Sequence, residues 1–217
     1  MNSDSDSNKK TGWKAVKRGA AYSLAAGVAT GAMATEADAV IQYSGIYNIN
    51  LYQGNSLNLD LDAGGATGDV MLKNYVNFGG NYQGLTVNYF PGQVVGFNNG
   101  LAYVSALSEG DPIDASTVGP SFFGSMAYGA TNPNAEFNSV TDAYIGLSFP
   151  INSVTHFGWI RVDIDNAAGT FLIKDWAYED AAGVGIPAGA IPEPGTLGLL
   201  AAGACGLAAM RRRNDRG

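Results

Sequence analysis

The chain has 217 residues, 12 basic and 19 acidic side chains, a net charge of −7, a single cysteine and 46% hydrophobic residues. That length can bury one sizeable core, and between its two basic tails the acidic balance argues against nucleic acid and anionic lipid as partners, since no basic patch is present there to release counterions. The lone Cys205 rules out an internal disulfide and a cysteine-based metal site.

In chain order, Lys9, Lys10, Lys14, Lys17 and Arg18 form a basic stretch ahead of a small, weakly apolar run from Gly19 to Ala34, and Ala37-Asp38-Ala39 offers an Ala-x-Ala cleavage site before Val40. This order predicts a signal peptide over residues 1–39 with a signal helix, and therefore export. Ala32-Met33-Ala34 is a second possible site, five residues earlier. Removing the two tails leaves Lys73, Arg161 and Lys174 against thirteen acids between Asp60 and Asp180, a balance of −10. Such a surface suits solubility or divalent cations.

Residues 40–190 read as one β domain. Apolar side chains alternate with polar ones from Ile46 to Leu51, Leu57 to Asp62 and Ile160 to Asp165, which is the period of a half-buried strand. Further strand-like runs are 69–75, 84–90, 101–107, 144–149 and 170–178, rich in Val, Ile, Tyr, Phe and Trp. Turn chemistry separates them at Gly79-Gly80-Asn81, Pro91-Gly92, Asn98-Asn99-Gly100, Glu109-Gly110-Asp111-Pro112 and Asn132-Pro133-Asn134. The expected fold is all-β: an antiparallel β-sandwich or jelly roll of about ten strands, with no sequence repeat to support a β-helix.

The chain then changes character. Pro192 and Pro194 disfavour helix up to Gly195, where a 16-residue run of small and apolar residues leads to Met210 and then Arg211, Arg212 and Arg213. As a helix this run rises roughly 24 Å against a hydrocarbon core of about 30 Å, so a short transmembrane helix held by the arginines is expected.

The order Ile191-Pro192-Glu193-Pro194-Gly195-Thr196, short apolar run, triple arginine resembles the PEP-CTERM sorting signal of exopolysaccharide-producing Gram-negative bacteria. The same signal is also catalogued as an ice-binding protein C-terminal domain, which implies nothing about ice. The resemblance implies processing of residues 191–217 by exosortase near Pro-Glu-Pro, transient membrane contact through residues 195–213, and sorting of the body to the cell surface or extracellular matrix. The body also resembles the terminal β-region of uncharacterised proteins with this tail, through Tyr144-Ile-Gly-Leu-Ser-Phe149, Thr155-His-Phe-Gly-Trp-Ile-Arg-Val162 and Asp175-Trp-Ala-Tyr-Glu179. Read physically, these are three sequential strands with a hairpin turn at Asn166–Gly169, and Gly158 permits a bulge or close approach beside Trp159.

Chemistry is sparse. His156 is the single histidine, no nucleophile elbow accompanies it, and it reads as a packed strand residue. Asp60, Asp62 and Asp69, with Gly65 between them, have part of the spacing of a calcium loop but lack the oxygen donor at its fifth position and the terminal glutamate. The alternative is that Asp60 and Asp62 face solvent along one strand. Asp163 and Asp165 are a weaker second pair. Paired acids roughly 7 Å apart on a strand also admit a glycosidase, whose carboxylates stand about 5 to 9 Å apart. Tyr43, Tyr47, Tyr52, Tyr75, Tyr82, Tyr89, Tyr103, Trp159, Trp176 and Tyr178 offer rings for a sugar-stacking face, or serve as core and cross-strand partners. The expected function is an exported, non-catalytic surface or matrix protein of structural or adhesive type, without a cofactor unless calcium binds. A carbohydrate-binding module associated with exopolysaccharide is the first alternative and a glycoside-active enzyme the second.

Overall fold

The computed structural model describes residues 39–192 apart from 66, 130 and 131. These residues form fifteen strands and no helix. A seven-stranded sheet runs in the order β1 (Ile41–Tyr43), β14 (Thr170–Glu179), β13 (Val154–Asp165), β12 (Ser139–Ile151) and β6 (Gln93–Val94), with β2 (Ile49–Asn50) also on β14 and β9 (Ala106–Leu107) also on β12. A six-stranded sheet runs β3 (Asn55–Leu59), β4 (Val70–Asn77), β5 (Gly80–Val87), β11 (Phe123–Tyr128), β8 (Leu101–Val104), β7 (Gly96–Asn99). A small pair joins β10 (Pro112–Ile113) to β15 (Ile186–Pro187).

Local chemistry sets the hairpins. Asn152 and Ser153, both at positive φ, form the two-residue turn between β12 and β13, and Phe78-Gly79 does the same between β4 and β5. Positive φ at both central residues matches the twist of the flanking strands. The turn expected at Asn166–Gly169 joins β13 to β14, so the three sequential strands pair in chain order.

Side chains from the facing sheets share one core. Leu59, Val70, Leu72, Leu85, Val87, Val104 and Met126 from the six-stranded sheet join Ile145, Leu147, Phe149, Ile160, Val162, Ile164, Phe171 and Ile173 from the seven-stranded one. Alternation places these residues on one face of each strand. A second cluster lies on the opposite face of the seven-stranded sheet, where Tyr144, Phe157, Trp159 and Ala177 meet Ile113, Ile186 and Ala188. Burial on both faces explains why the strand-like run Tyr144–Phe149 does not alternate apolar with charged residues.

Two bulges re-aim polar residues on this sheet. Lys174 is the extra residue where β14 opposes β13, and the register of β12 shifts between Val140 and Ala143. A bulge puts neighbouring side chains on the same face, and here it brings Lys174 to Asp142 and Asp163 while Asp175 meets Arg161.

Three expectations change. The strands number fifteen rather than about ten, because five of them have only two residues and escape any periodicity window. One contact between neighbouring strands, β11 with β8, is parallel, so the fold is not wholly antiparallel. The strand expected at 57–62 ends at Leu59, and that at 46–51 is reduced to Ile49–Asn50 after Asn48 at φ 55°. The signal helix, Ala37, and the C-terminal helix with Glu193, Pro194, Arg211, Arg212 and Arg213 lie outside the described residues.

Candidate functional site

After β3 the chain reverses through residues 60–69, and three acids build the loop. Asp62 Oδ1 accepts the Gly64 N–H at 2.8 Å, Asp60 Oδ2 accepts the Gly65 N–H at 3.1 Å, and Asp69 Oδ2 accepts the Leu61 N–H at 2.8 Å. Short acids followed by glycines suit this turn because the carboxylate replaces a backbone acceptor. One oxygen from each of Asp60, Asp62 and Asp69 lies within 4.8 Å of the others, so the three residues singled out by spacing do converge. They do so in a loop, not along a strand. Burial pushes the Asp69 carboxyl from its ordinary 3.8 up to about 6; the Leu61 N–H opposes the rise and the charges of Asp62 and Asp60 add to it. Asp60 Oδ1 is buried without a hydrogen-bond partner among the described residues.

Beside this loop is an open groove of about 480 Å³. Its aromatic lining comes from Tyr43, Tyr47, Trp176 and Tyr178, and its acidic lining from Asp60 and Asp62. Tyr47 stacks on Trp176 with ring centroids 4.8 Å apart. Burial raises the pKa of the Tyr178 hydroxyl, and the charges of Asp62, Asp180, Asp69 and Asp60 raise it further.

A second surface is the outer face of the six-stranded sheet. Tyr75 and Tyr82 are directly opposed on β4 and β5, and Tyr82 meets Tyr128 of β11 edge-on at 6.2 Å. Tyr82 and Tyr128, with Phe78, Leu101 and Phe123, border an apolar hollow of about 260 Å³. Ser125, only 8% exposed, also lines it, and its Oγ has no hydrogen-bond partner among the described residues. Phe78 is fully exposed at its turn, and Phe123 packs edge-on against Phe122 at 5.1 Å. Sequence reading missed Phe78, which stands in a turn, and Phe123 and Tyr128, whose signal is weak because β11 consists largely of small residues between its terminal rings. Of the rings it did name, Tyr103, Trp159 and Trp176 are buried, Trp176 with its edge at the groove.

The remaining polar candidates are held within the fold. Asp163 is paired with Lys174 at 2.7 Å, and Asp165 Oδ1 accepts the Ala168 N–H at 3.1 Å in the hairpin turn. His156 is buried, with Nδ1 2.9 Å from the Glu179 carbonyl oxygen, in keeping with a packed strand residue. Gly158 sits where an added Cβ would lie 2.8 Å from the Ala177 carbonyl oxygen, so the expected close approach is present while the bulge falls at Lys174. At the domain's ends, the Val40 N–H donates to Asp180 Oδ1 at 3.0 Å, Ala39 is exposed, and the described chain runs out through exposed Ile191 and Pro192.

It is at this exit that similarity to known proteins begins: residues 190–213 match the PEP-CTERM protein-sorting motif. The chain carries a PEP-CTERM sorting signal. Such a signal marks an exported protein that exosortase recognises and that is sorted to the cell surface or beyond it. The match does not extend into the β domain, and neither a curated protein nor a solved structure matches the chain.

Proposed function

We propose that this PEP-CTERM protein is a non-catalytic, adhesive component of the cell surface or extracellular matrix, and that it attaches to glycan through the outer face of its six-stranded sheet. The observation that carries this reading is the hollow bordered by Phe78, Tyr82, Leu101, Phe123 and Tyr128 with the unpartnered Ser125 hydroxyl in its lining. Aromatic faces suit the apolar C–H faces of pyranose rings, and a few placed polar groups orient a ligand in an otherwise apolar site. The non-catalytic part is supported by the state of the paired acids: Asp60 and Asp62 shape a turn, Asp163 is ion-paired, and Asp165 caps a hairpin. In this reading the His156–Trp159 and Ala177–Glu179 segments serve as architecture. The membrane-contacting segment 195–213 is transient and lost on processing near Pro192-Glu193-Pro194.

The test is retention of the full-length protein on the host's own matrix polysaccharide by affinity electrophoresis. Retardation that disappears in the Tyr82→Ala/Phe123→Ala double variant supports the reading, and equal mobility with and without polysaccharide overturns it. Terminal peptide mapping of membrane and matrix fractions tests the route: ends near Val40 and Pro192 in the matrix are expected.

A second reading concerns the acidic loop. We propose that Asp60, Asp62 and Asp69 hold a cation, calcium being the inorganic candidate; the convergence of their oxygens supports it. Calcium takes six to eight oxygens, so waters or carbonyls would complete its shell. An unchanged melting temperature on adding calcium and then chelator removes calcium from consideration.

A further inference from the structure

The groove at the acidic loop has a charge that the domain itself does not balance. Each of the three basic residues among the described residues is engaged elsewhere: Lys73 Nζ donates to Thr86 Oγ1 at 2.7 Å, Arg161 is bonded to Asp142 and Asp175, and Lys174 to Asp142 and Asp163. Asp60, Asp62 and Asp69 therefore converge with no protein cation among the described residues, and a ligand that neutralises them must bring its own positive charge.

The other lining decides what kind of cation fits. A metal ion makes no use of aromatic faces. Four rings, Tyr43, Tyr47, Trp176 and Tyr178, line the same groove, with the exposed Tyr47 stacked on the buried Trp176 that backs it. Ring faces carry negative charge in their quadrupole and attract ammonium groups, and a flat aromatic wall also accepts a pyranose. Carboxylate plus ring face is complementary to an ammonium carried on a sugar ring.

We infer that the groove bounded by Asp60, Asp62, Tyr47, Trp176 and Tyr178 binds amino-sugar units with a free amine, as in an N-deacetylated glycan. This rests on the glycan-adhesion reading but uses a different surface, with Asp62 and Tyr47 as its accessible contacts. Tyr47 is 58% exposed and Asp62 is half-buried, so both can be changed without opening the core.

The experiment is calorimetric titration of the full-length protein with a glucosamine hexamer, its fully N-acetylated counterpart, a lysine hexapeptide and calcium chloride. Binding of the glucosamine hexamer at least about tenfold tighter than the acetylated one, weakened by salt, is expected. Asp62→Asn and Tyr47→Ala should each weaken it about three- to tenfold, while Tyr82→Ala/Phe123→Ala leaves it unchanged. Asn at 62 keeps an acceptor for the Gly64 N–H, so loss there reports charge rather than misfolding. Equal affinity for the two hexamers, no binding of either, or calcium binding alone overturns the inference. Equal affinity for the lysine peptide overturns the sugar and leaves a general ammonium site. Loss of matrix retention only in the Tyr82/Phe123 variant, with hexamer binding intact, separates the fate of this inference from that of the sheet-face reading.

Discussion

Arg161 grips Asp175 with two parallel bonds, Nε to Oδ1 at 2.9 Å and Nη2 to Oδ2 at 2.5 Å, and the Asp175 residue has no exposed surface. The Tyr43 hydroxyl donates to the same Oδ2 at 2.8 Å, so edge strand β1 is tied to this pair as well. The pairing with Asp175 pushes the already high pKa of Arg161 higher. It also accounts for one of three cations in a domain of net −10, and with Lys73 and Lys174 engaged as well, no cation among the described residues is left for the acidic loop.

Removing one half of this pair strands a buried charge. Arg161→Met is expected to destabilise the domain by about 3–5 kcal/mol, and Arg161→Met/Asp175→Asn to recover part of that loss, because the second change removes the uncompensated carboxylate. Urea unfolding of the two variants measures the difference.

Asn74, Gln83 and Asn166 form a buried amide chain that crosses between the sheets. Gln83 Nε2 donates to Asn74 Oδ1 at 2.9 Å, Asn166 Nδ2 donates to Gln83 Oε1 at 2.7 Å, and Asn74 Nδ2 donates to the Leu51 and Gly169 carbonyls. Gln83→Leu keeps the volume but leaves Asn74 Oδ1 unpaired, and a loss of about 1–3 kcal/mol is expected by the same unfolding assay.

Gly158→Ala tests the close approach on β13. The added Cβ would meet the backbone oxygen of Ala177 at 2.8 Å and the Cβ of Tyr178 at 3.1 Å, neither of which can rotate away. Overpacking of about 1–3 kcal/mol should lower the melting temperature. An unchanged melting temperature would mean that β13 and β14 move apart to admit the methyl group.

The acidic loop gives the stability a pH slope. Asp69 holds its proton more tightly when folded, at about 6 against 3.8, so its contribution to stability falls as pH rises through that window and stays low above it. Asp69→Asn removes this slope, and the variant should gain in melting temperature relative to the parent between pH 4 and pH 7. Asp142 works in the opposite sense: the Lys174 bond holds its carboxyl below the usual range, so the stability it adds above its unfolded pKa is lost as acidification protonates it. A cation bound at the loop should flatten the Asp69 slope, which calorimetry with and without the ligand would show.

Much of this was legible beforehand. The run Tyr144–Glu179 carries enough β-branched and aromatic residues, with an Asn-Ala-Ala-Gly turn, to specify three paired strands, and Asp60, Asp62 and Asp69 were visible as a group. Leu61 misled, because its apolar side chain continues the alternation of β3 into a loop where the backbone is already turned by its acidic neighbours. The rings of the outer face escaped notice for a different reason. Phe78, Tyr82, Leu101, Phe123 and Tyr128 come from β5, β8, β11 and a turn, and only strand pairing makes them neighbours.

The sequence by itself determined the route and the material: a sorting signal written in contiguous residues, a strand-forming acidic body, and turn residues placed between short apolar runs. These are local properties, set by backbone preference and periodicity over a few residues. Only the tertiary structure decided which carboxylates are neutralised and which are left uncompensated beside aromatic rings. Arg161 pairs with Asp175 because of a bulge, and Tyr47 and Trp176 reach Asp60 and Asp62 from segments more than a hundred residues apart along the chain. Charge balance and ring clustering depend on distances through space, which no local pattern encodes.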